Sequence, residues 1–348
     1  MSSPAEIAAT ARARSLGLLE QLALQTDAIA DRLASGLGLV AWDRERVIGG
    51  VQRALWALHD GPRPELVGGR ARVIERAAQP LESLPLVWEQ LLRGRVVSLS
   101  LEPSASAAVR ELLASEVAAF AGALILDPLE GSGDPLVGVR PARSRVAIVL
   151  DDTDRELAAY ILARVALRRS GADPRAVKRV FVSGGAAHLL RHLERLWVGA
   201  IAGPPDDADA FMGPVDADAA GKHLAALDGW AASPGVRVIC PGGQLHRGGD
   251  RRRYLAPALL EVAWPVADPA LALDPDEWWP GPALFVHALA SAAAIDVALS
   301  EADIPVERRL VIGPRRRRTR GADDERPRTQ GALMIERVPP GLPPPRPV

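Results

Sequence analysis

A single cysteine, Cys240, serves the whole chain, which excludes an internal disulfide and any cysteine-rich metal site. Lysine is almost as scarce. It occurs only at Lys178 and Lys222, so the basic charge is carried by arginine and lysine is set aside as a general candidate for Schiff-base or phosphate chemistry. No excess of charge of either sign exists: the formal net charge is −1, which gives no electrostatic case for nucleic acid or an anionic membrane. No apolar run is long enough for a membrane span. The most apolar stretch, Ala283–Ser300, is interrupted by His287 and Asp296 and reads as buried. The N-terminal stretch MSSPAEIAATARARS lacks the apolar core of a signal peptide, so a cytoplasmic protein is the expectation.

What is present is ordinary for a folded protein. Of 348 residues, 48% are hydrophobic and 24% charged, enough for two domains or one large α/β unit. Pro4–Gly36 carries apolar residues at helical spacing and predicts one amphipathic helix or two. Val47–His59 continues the pattern until the cluster Gly61–Pro64 ends it. Leu84–Gly94 reads as a helix, Arg95–Leu101 as a strand, Ala105–Ala121 as a helix with Ser104 at its N-cap, and Ala123–Leu126 as a short strand. This order suggests a βαβ unit in a parallel sheet. A Gly/Pro-rich connector, Asp127–Pro141, follows.

The alternation then continues. RVAIVL (Arg145–Leu150) is a buried strand leading to the helix Arg155–Arg169, with Thr153 or Asp154 as N-cap. Val177–Ser183 is a strand and Ala186–Leu196 a helix. Ala217–Ala232 is a further helix, and Val236–Cys240 a strand closed by Pro241-Gly242-Gly243. After the basic loop Arg247–Arg253 come the extended or strand segment Tyr254–Val262, the strand–helix step Ala283–His287 and Ala292–Ser300, and the strand Leu310–Ile312. Beyond Gly313 the chain is rich in Arg and Pro, and only Gly331–Val338 could form a strand.

Several features that could carry chemistry have plainer readings. Cys240 reads as a buried structural thiol. Asp151, Asp152 and Asp154, at a strand-to-helix junction, read as caps and helix-dipole partners, not as a metal cluster. Gly131-Ser132-Gly133 lacks a following helix and reads as a turn. Arg315–Arg318 with Arg320 is balanced by Asp323, Asp324 and Glu325 and reads as a solvated run. His188, His192, His246 and His287 form no ligand set, and Trp278-Trp279 is expected to pack beneath a loop.

Five segments, in order, resemble the aldehyde dehydrogenase superfamily: IVLDDTDRELA (Ile148–Ala158), SGADPRAVKRVFV (Ser170–Val182), FMGPVDADAAGKHLAAL (Phe211–Leu227), CPGGQ through YLAPALLEV (Cys240–Val262) and DEWWPGPALFVHAL (Asp276–Leu289). GRVVSLSLEPS (Gly94–Ser104) resembles the strand that borders the dinucleotide in that family. The resemblance implies an α/β protein with parallel-sheet, Rossmann-type halves and a reduced cofactor-side half. It divides the chain into N-terminal helices with a degenerate cofactor half (1–165), a catalytic-domain-like half (166–312) and an Arg/Pro-rich tail (313–348).

The functional positions depart from the family. Aligning Ser170-Gly171 and Arg179 places Pro174 where the nucleophilic cysteine belongs, and proline offers neither a nucleophile nor a backbone N–H. Aligning Asp152-Thr153-Asp154 places Arg140 at the general-base glutamate, where a guanidinium accepts no proton. Glu102 stands where the cofactor lysine belongs, and Glu277 is left as a vestigial ribose contact, one residue out of register. The implied function is a catalytically inactive, aldehyde dehydrogenase-like binding or subunit partner of itself or of an active paralogue, needing no cofactor. The alternative is a divergent NAD(P)-dependent oxidoreductase acting on an aldehyde.

Overall fold

The computed structural model describes residues 2–126, 135–138, 145–274 and 279–313. The chain forms two compact units, Met1–Pro141 and Ala142–Val348.

The first unit opens with three helices, α1 (Pro4–Leu24), α2 (Thr26–Leu37) and α3 (Ala41–Asp60). Helix α1 starts on a capping box: the Ser3 hydroxyl accepts the Glu6 N–H at 3.3 Å, and the Glu6 carboxylate accepts the Ser3 N–H at 2.7 Å, with Pro4 at the first helical position. Helix α2 stops where Gly38 turns left-handed, at φ 67°. The chain then alternates β1 (Arg70–Glu75), α4 (Ser83–Leu92), β2 (Val96–Leu101), α5 (Ala108–Ala119) and β3 (Leu124–Leu126). The strands lie side by side in that order and are all parallel, as the helical crossovers require. Their inward residues Val73, Val97 and Leu99 join Leu18, Leu22 and Trp88 in one core, each aliphatic side chain contributing about 1.5–3 kcal/mol by burial.

Two local expectations change here. The strand β1 was not anticipated, because its alternation ends on an acid, Glu75, that is itself buried. Helix α5 begins later than expected and is not capped by Ser104; the Ser106 hydroxyl accepts the Ala108 N–H instead.

The second unit is a six-stranded sheet with the order β6 (Val236–Leu245), β7 (Tyr254–Val262), β8 (Ala283–Leu289), β5 (Val177–Ser183), β4 (Arg145–Val149) and β9 (Arg309–Ile312). Every pairing is parallel except β6 with β7. Helices α6 (Arg155–Ala166), α7 (Ala187–Gly199), α8 (Ala217–Ala232) and α9 (Ala292–Glu301) pack on it. All seven residues of the central strand β5 are buried, including Lys178 and Arg179.

The expected boundary at residue 165 therefore falls inside this unit. Strand β4 pairs on one side with β5 and on the other with β9, so it belongs to the later sheet, and the units divide after Pro141. Strand β6 also outruns its expected end. It carries Pro241, Gly242 and Gly243 within the ladder, at an edge and after a bulge, where a missing N–H and positive φ angles are tolerated. Helix α6 ends at Ala166 and not Arg169, because Arg169, Ser170 and Gly171 turn left-handed. The segment Gly331–Val338 lies outside the described residues.

Candidate functional site

The chain leaving α6 makes three consecutive left-handed residues, Arg169 (φ 49°), Ser170 (φ 54°) and Gly171 (φ 77°), before Asp173-Pro174 and β5. Such a run needs external support, since each non-glycine residue there costs about 1–2 kcal/mol. Three contacts supply it. The Ser170 hydroxyl donates to the Gly213 carbonyl at 2.7 Å, joining the turn to the Gly213-Pro214 loop. The Lys178 ammonium donates to the carbonyls of Gly171 and Gly281, at 2.6 Å each. The Asp173 carboxylate accepts the Arg175 N–H at 2.8 Å. Gly171 also sits flush against Gly281, since a Cβ there would fall 2.1 Å from the Gly281 oxygen.

The sequence segments Ser170–Val182, Phe211–Leu227 and the Gly281-Pro282 end of the last motif thus converge on one lysine. Trp279 lies with its ring 5.6 Å from the Lys178 nitrogen and packs on Trp230 of α8 and Phe285 of β8. His223, from α8, presses its ring edge against Gly281, at 1% exposure. Neither ring nitrogen makes a hydrogen bond of good geometry among the described residues. The Pro280 carbonyl only partly offsets burial and the Lys178 charge, which together push the imidazole down to about 4.

The next residue of β5 faces the opposite side of the sheet and repeats the theme. The Arg179 guanidinium donates to His287 Nε2 at 3.2 Å, reaches the Ala272 carbonyl at 3.4 Å, and lies 5.0 Å from the Phe285 ring. That donation occupies the His287 lone pair. Burial first, and then the adjacent cation, push its ionisation down to about 3. His223 and Lys178 escaped the sequence reading. The available signal was a pair of cations, Lys178-Arg179, inside an otherwise apolar strand.

The other candidates lie apart from this cluster. Cys240 is buried on the antiparallel strand β6, three strands from β5 and so about 14 Å across the sheet. Burial pushes its thiol up to about 11, with the Glu194 charge adding to the effect. Asp154 caps α6, accepting from the N–H groups of Glu156 and Leu157, while Asp151 and Asp152 are exposed. No group of acids, histidines and cysteine among the described residues could hold a metal ion. In the first unit, Glu102 follows β2 and pairs with Arg76 at 3.5 Å. Beside it Glu75 is fully buried and accepts from Leu81 N–H at 2.8 Å and the Ser83 hydroxyl at 2.6 Å. Burial pushes Glu75 up to about 7, against those hydrogen bonds. Arg140 and Glu277 lie outside the described residues, as do Gly131-Ser132-Gly133, Trp278 and Arg315–Arg320.

A family model, the aldehyde dehydrogenase family, matches residues 144–268, which span most of the second unit and the whole Lys178 turn. The chain has the aldehyde dehydrogenase fold. Its aldehyde dehydrogenase-like architecture extends over both units in comparison with solved structures. It matches a methylmalonate-semialdehyde dehydrogenase from Oceanimonas doudoroffii at 15% identity and a TM-score of 0.68, covering 84% of this chain and 70% of that one. An NAD-dependent benzaldehyde dehydrogenase from Corynebacterium glutamicum matches at 16% and 0.66, over 89% and 77%. Aldehyde dehydrogenase C from Pseudomonas syringae, solved with NAD+ and octanal, matches at 17% and 0.66, over 90% and 78%. No curated protein matches the chain in sequence. Among the described residues no helix is long and apolar enough to cross a membrane.

Proposed function

We propose that this chain is a catalytically silent protein of aldehyde dehydrogenase fold, acting by binding, as a subunit partner of a second copy or of an active relative. One observation carries the reading. At the turn where the resemblance puts a nucleophile, the polar side chains are already engaged: Ser170 on the Gly213 carbonyl, Asp173 on the Arg175 N–H and Lys178 on two carbonyls. Pro174, at the nucleophile's own position, is buried and offers no reactive atom. Glu102, where a cofactor lysine would stand, offers a pyrophosphate a carboxylate paired with Arg76 in place of a cation. The thiol at Cys240 is held in its unreactive form by burial.

The purified chain, offered NAD+ or NADP+ with aliphatic and aromatic aldehydes, is expected to form no reduced cofactor above the buffer rate. It is also expected to leave NADH fluorescence unchanged at millimolar cofactor. Turnover, or saturable cofactor binding with thermal stabilisation of several degrees, would overturn the proposal in favour of an NAD(P)-dependent oxidoreductase.

A further inference from the structure

The first unit carries a groove of about 570 Å³ along α1, within the range of small-molecule sites. Its floor is a run of alanines, Ala5, Ala8, Ala9 and Ala13, on the helix face away from Ile7, Ala11 and Leu18, which enter the core. Buried Leu92 and Leu66, 52% exposed, line it as well. From Ala5 to Ala13 this floor runs about 12 Å along the helix axis.

Two guanidiniums face the same groove. Arg12 is half-buried and donates only a long hydrogen bond, 3.5 Å, to the Gly61 carbonyl. Arg63 makes no hydrogen bond or ion pair among the described residues, and no carboxylate is among the described residues lining the groove. Three other arginines of this unit are ion-paired, Arg14 with Glu116, Arg32 with Glu111 and Arg93 with Glu89, whereas exposed Arg63 is not. Glu6, on α1 itself, is turned to Ser3.

An apolar floor with two uncompensated cations fits a ligand that is apolar along its length and anionic at one end. A bare inorganic anion would leave the alanines and Leu66 uncovered, and a neutral alkyl chain would leave Arg12 and Arg63 without a counter-charge. A carboxylate satisfies a guanidinium by charge-assisted, bidentate hydrogen bonds. We infer that this groove binds a free medium-chain alkyl carboxylate, its chain along the alanine face of α1 and its head on Arg12 and Arg63. The inference is independent of the Pro174 turn, which belongs to the other unit.

Decanoate, kept below its micelle concentration and titrated into the full chain by calorimetry, is expected to bind saturably, one per chain. Arg63→Glu is expected to weaken it at least tenfold, and Ala9→Trp, which fills the groove from an exposed helix position, to abolish it. Decanol is expected to bind at least tenfold more weakly, and decyltrimethylammonium not at all. Arg53→Glu, the same charge change on α3 outside the groove, is expected to leave decanoate affinity within twofold of the parent. The inference is overturned by no saturable decanoate heat, by equal affinity for decanol, or by an Arg53→Glu effect as large as that of Arg63→Glu. Should either groove variant fail to fold, the decanoate and decanol arms on the parent chain decide alone. A fall in molecular mass on Ala9→Trp without decanoate binding would assign the groove to a second copy and also overturn it.

Discussion

Lys178 is surrounded by groups that need it. Its ammonium satisfies the carbonyls of Gly171 and Gly281 at once, and both oxygens lie in segments that approach too closely for a side chain to intervene. Replacing it by methionine keeps the volume and removes the donor, leaving two buried acceptors unmet at about 1–3 kcal/mol each. Lys178→Met is therefore expected to lower the urea midpoint by an amount equivalent to several kcal/mol. Gly171→Ala should be at least as severe, since its Cβ would meet the Gly281 oxygen at 2.1 Å from a backbone already at φ 77°. Gly185→Ala, where a Cβ meets nothing within 4 Å, is the control expected to stay near neutral. If Lys178→Met unfolds at the parent midpoint, the ammonium is not what holds this turn.

At the scale of elements, the junction between β4 and α6 is the simplest to test. Asp154 satisfies two otherwise orphaned N–H groups of α6, at 2.9 Å and 3.0 Å, so Asp154→Ala is expected to cost about 1 kcal/mol. Asp152→Ala, at an exposed residue two positions earlier, should cost almost nothing by the same urea measurement. Elements of this kind were legible in the sequence because several signals agreed. Val177–Ser183, Tyr254–Val262 and Ala217–Ala232 have apolar runs or spacings bounded by turn residues, and their ends match the structure. Where local chemistry and tertiary context disagreed, the reading failed. Strand β1 hides a buried acid, and β6 continues through Pro241-Gly242-Gly243 because an edge position excuses residues that a central strand would reject. The turn around Ser170 was legible as a turn, but its support was not. Lys178, Gly213, His223 and Gly281 are distant in sequence, and a lysine counted only for its rarity gives no hint of the carbonyls it meets.

For the whole molecule, the two units carry buried ionisable groups of opposite kind. An unfolded glutamate loses its proton near 4.5, whereas folded Glu75 keeps it until about 7, so folding of the first unit binds a proton in that window. The stability of that unit is therefore fullest on the acid side and is lost as pH rises from 4.5 through 7. His223 and His287 shift the other way, from 6.5 to about 4 and about 3, so the second unit is fully stable above 6.5 and loses stability as pH falls. Each effect is on the order of 2 kcal/mol between about pH 7.5 and about pH 5.5. Calorimetry at those two values is expected to show two transitions moving in opposite directions on acidification, the first unit's upward and the second's downward. Glu75→Gln should abolish the upward movement only. Two transitions that both fall would contradict the assignment.

The sheet order of the second unit also governs when that unit can be completed. Strand β9 pairs with β4, Val146 against Arg309 and Val149 against Ile312, with almost the entire unit threaded between the partners. On the ribosome, β4 is the first of the unit's described strands to emerge and its neighbour β9 the last of them. Until residue 312 is free, one flank of β4 has no strand to bond with, and Val146 and Ile148 lie beside that gap. The closing of such a distant pair is slow because the loop entropy is lost before the contact forms. Docking of this late strand of four residues, and not the lysine-centred turn, is what turns β4 from an edge strand into an interior one and moves that edge of the sheet to β9.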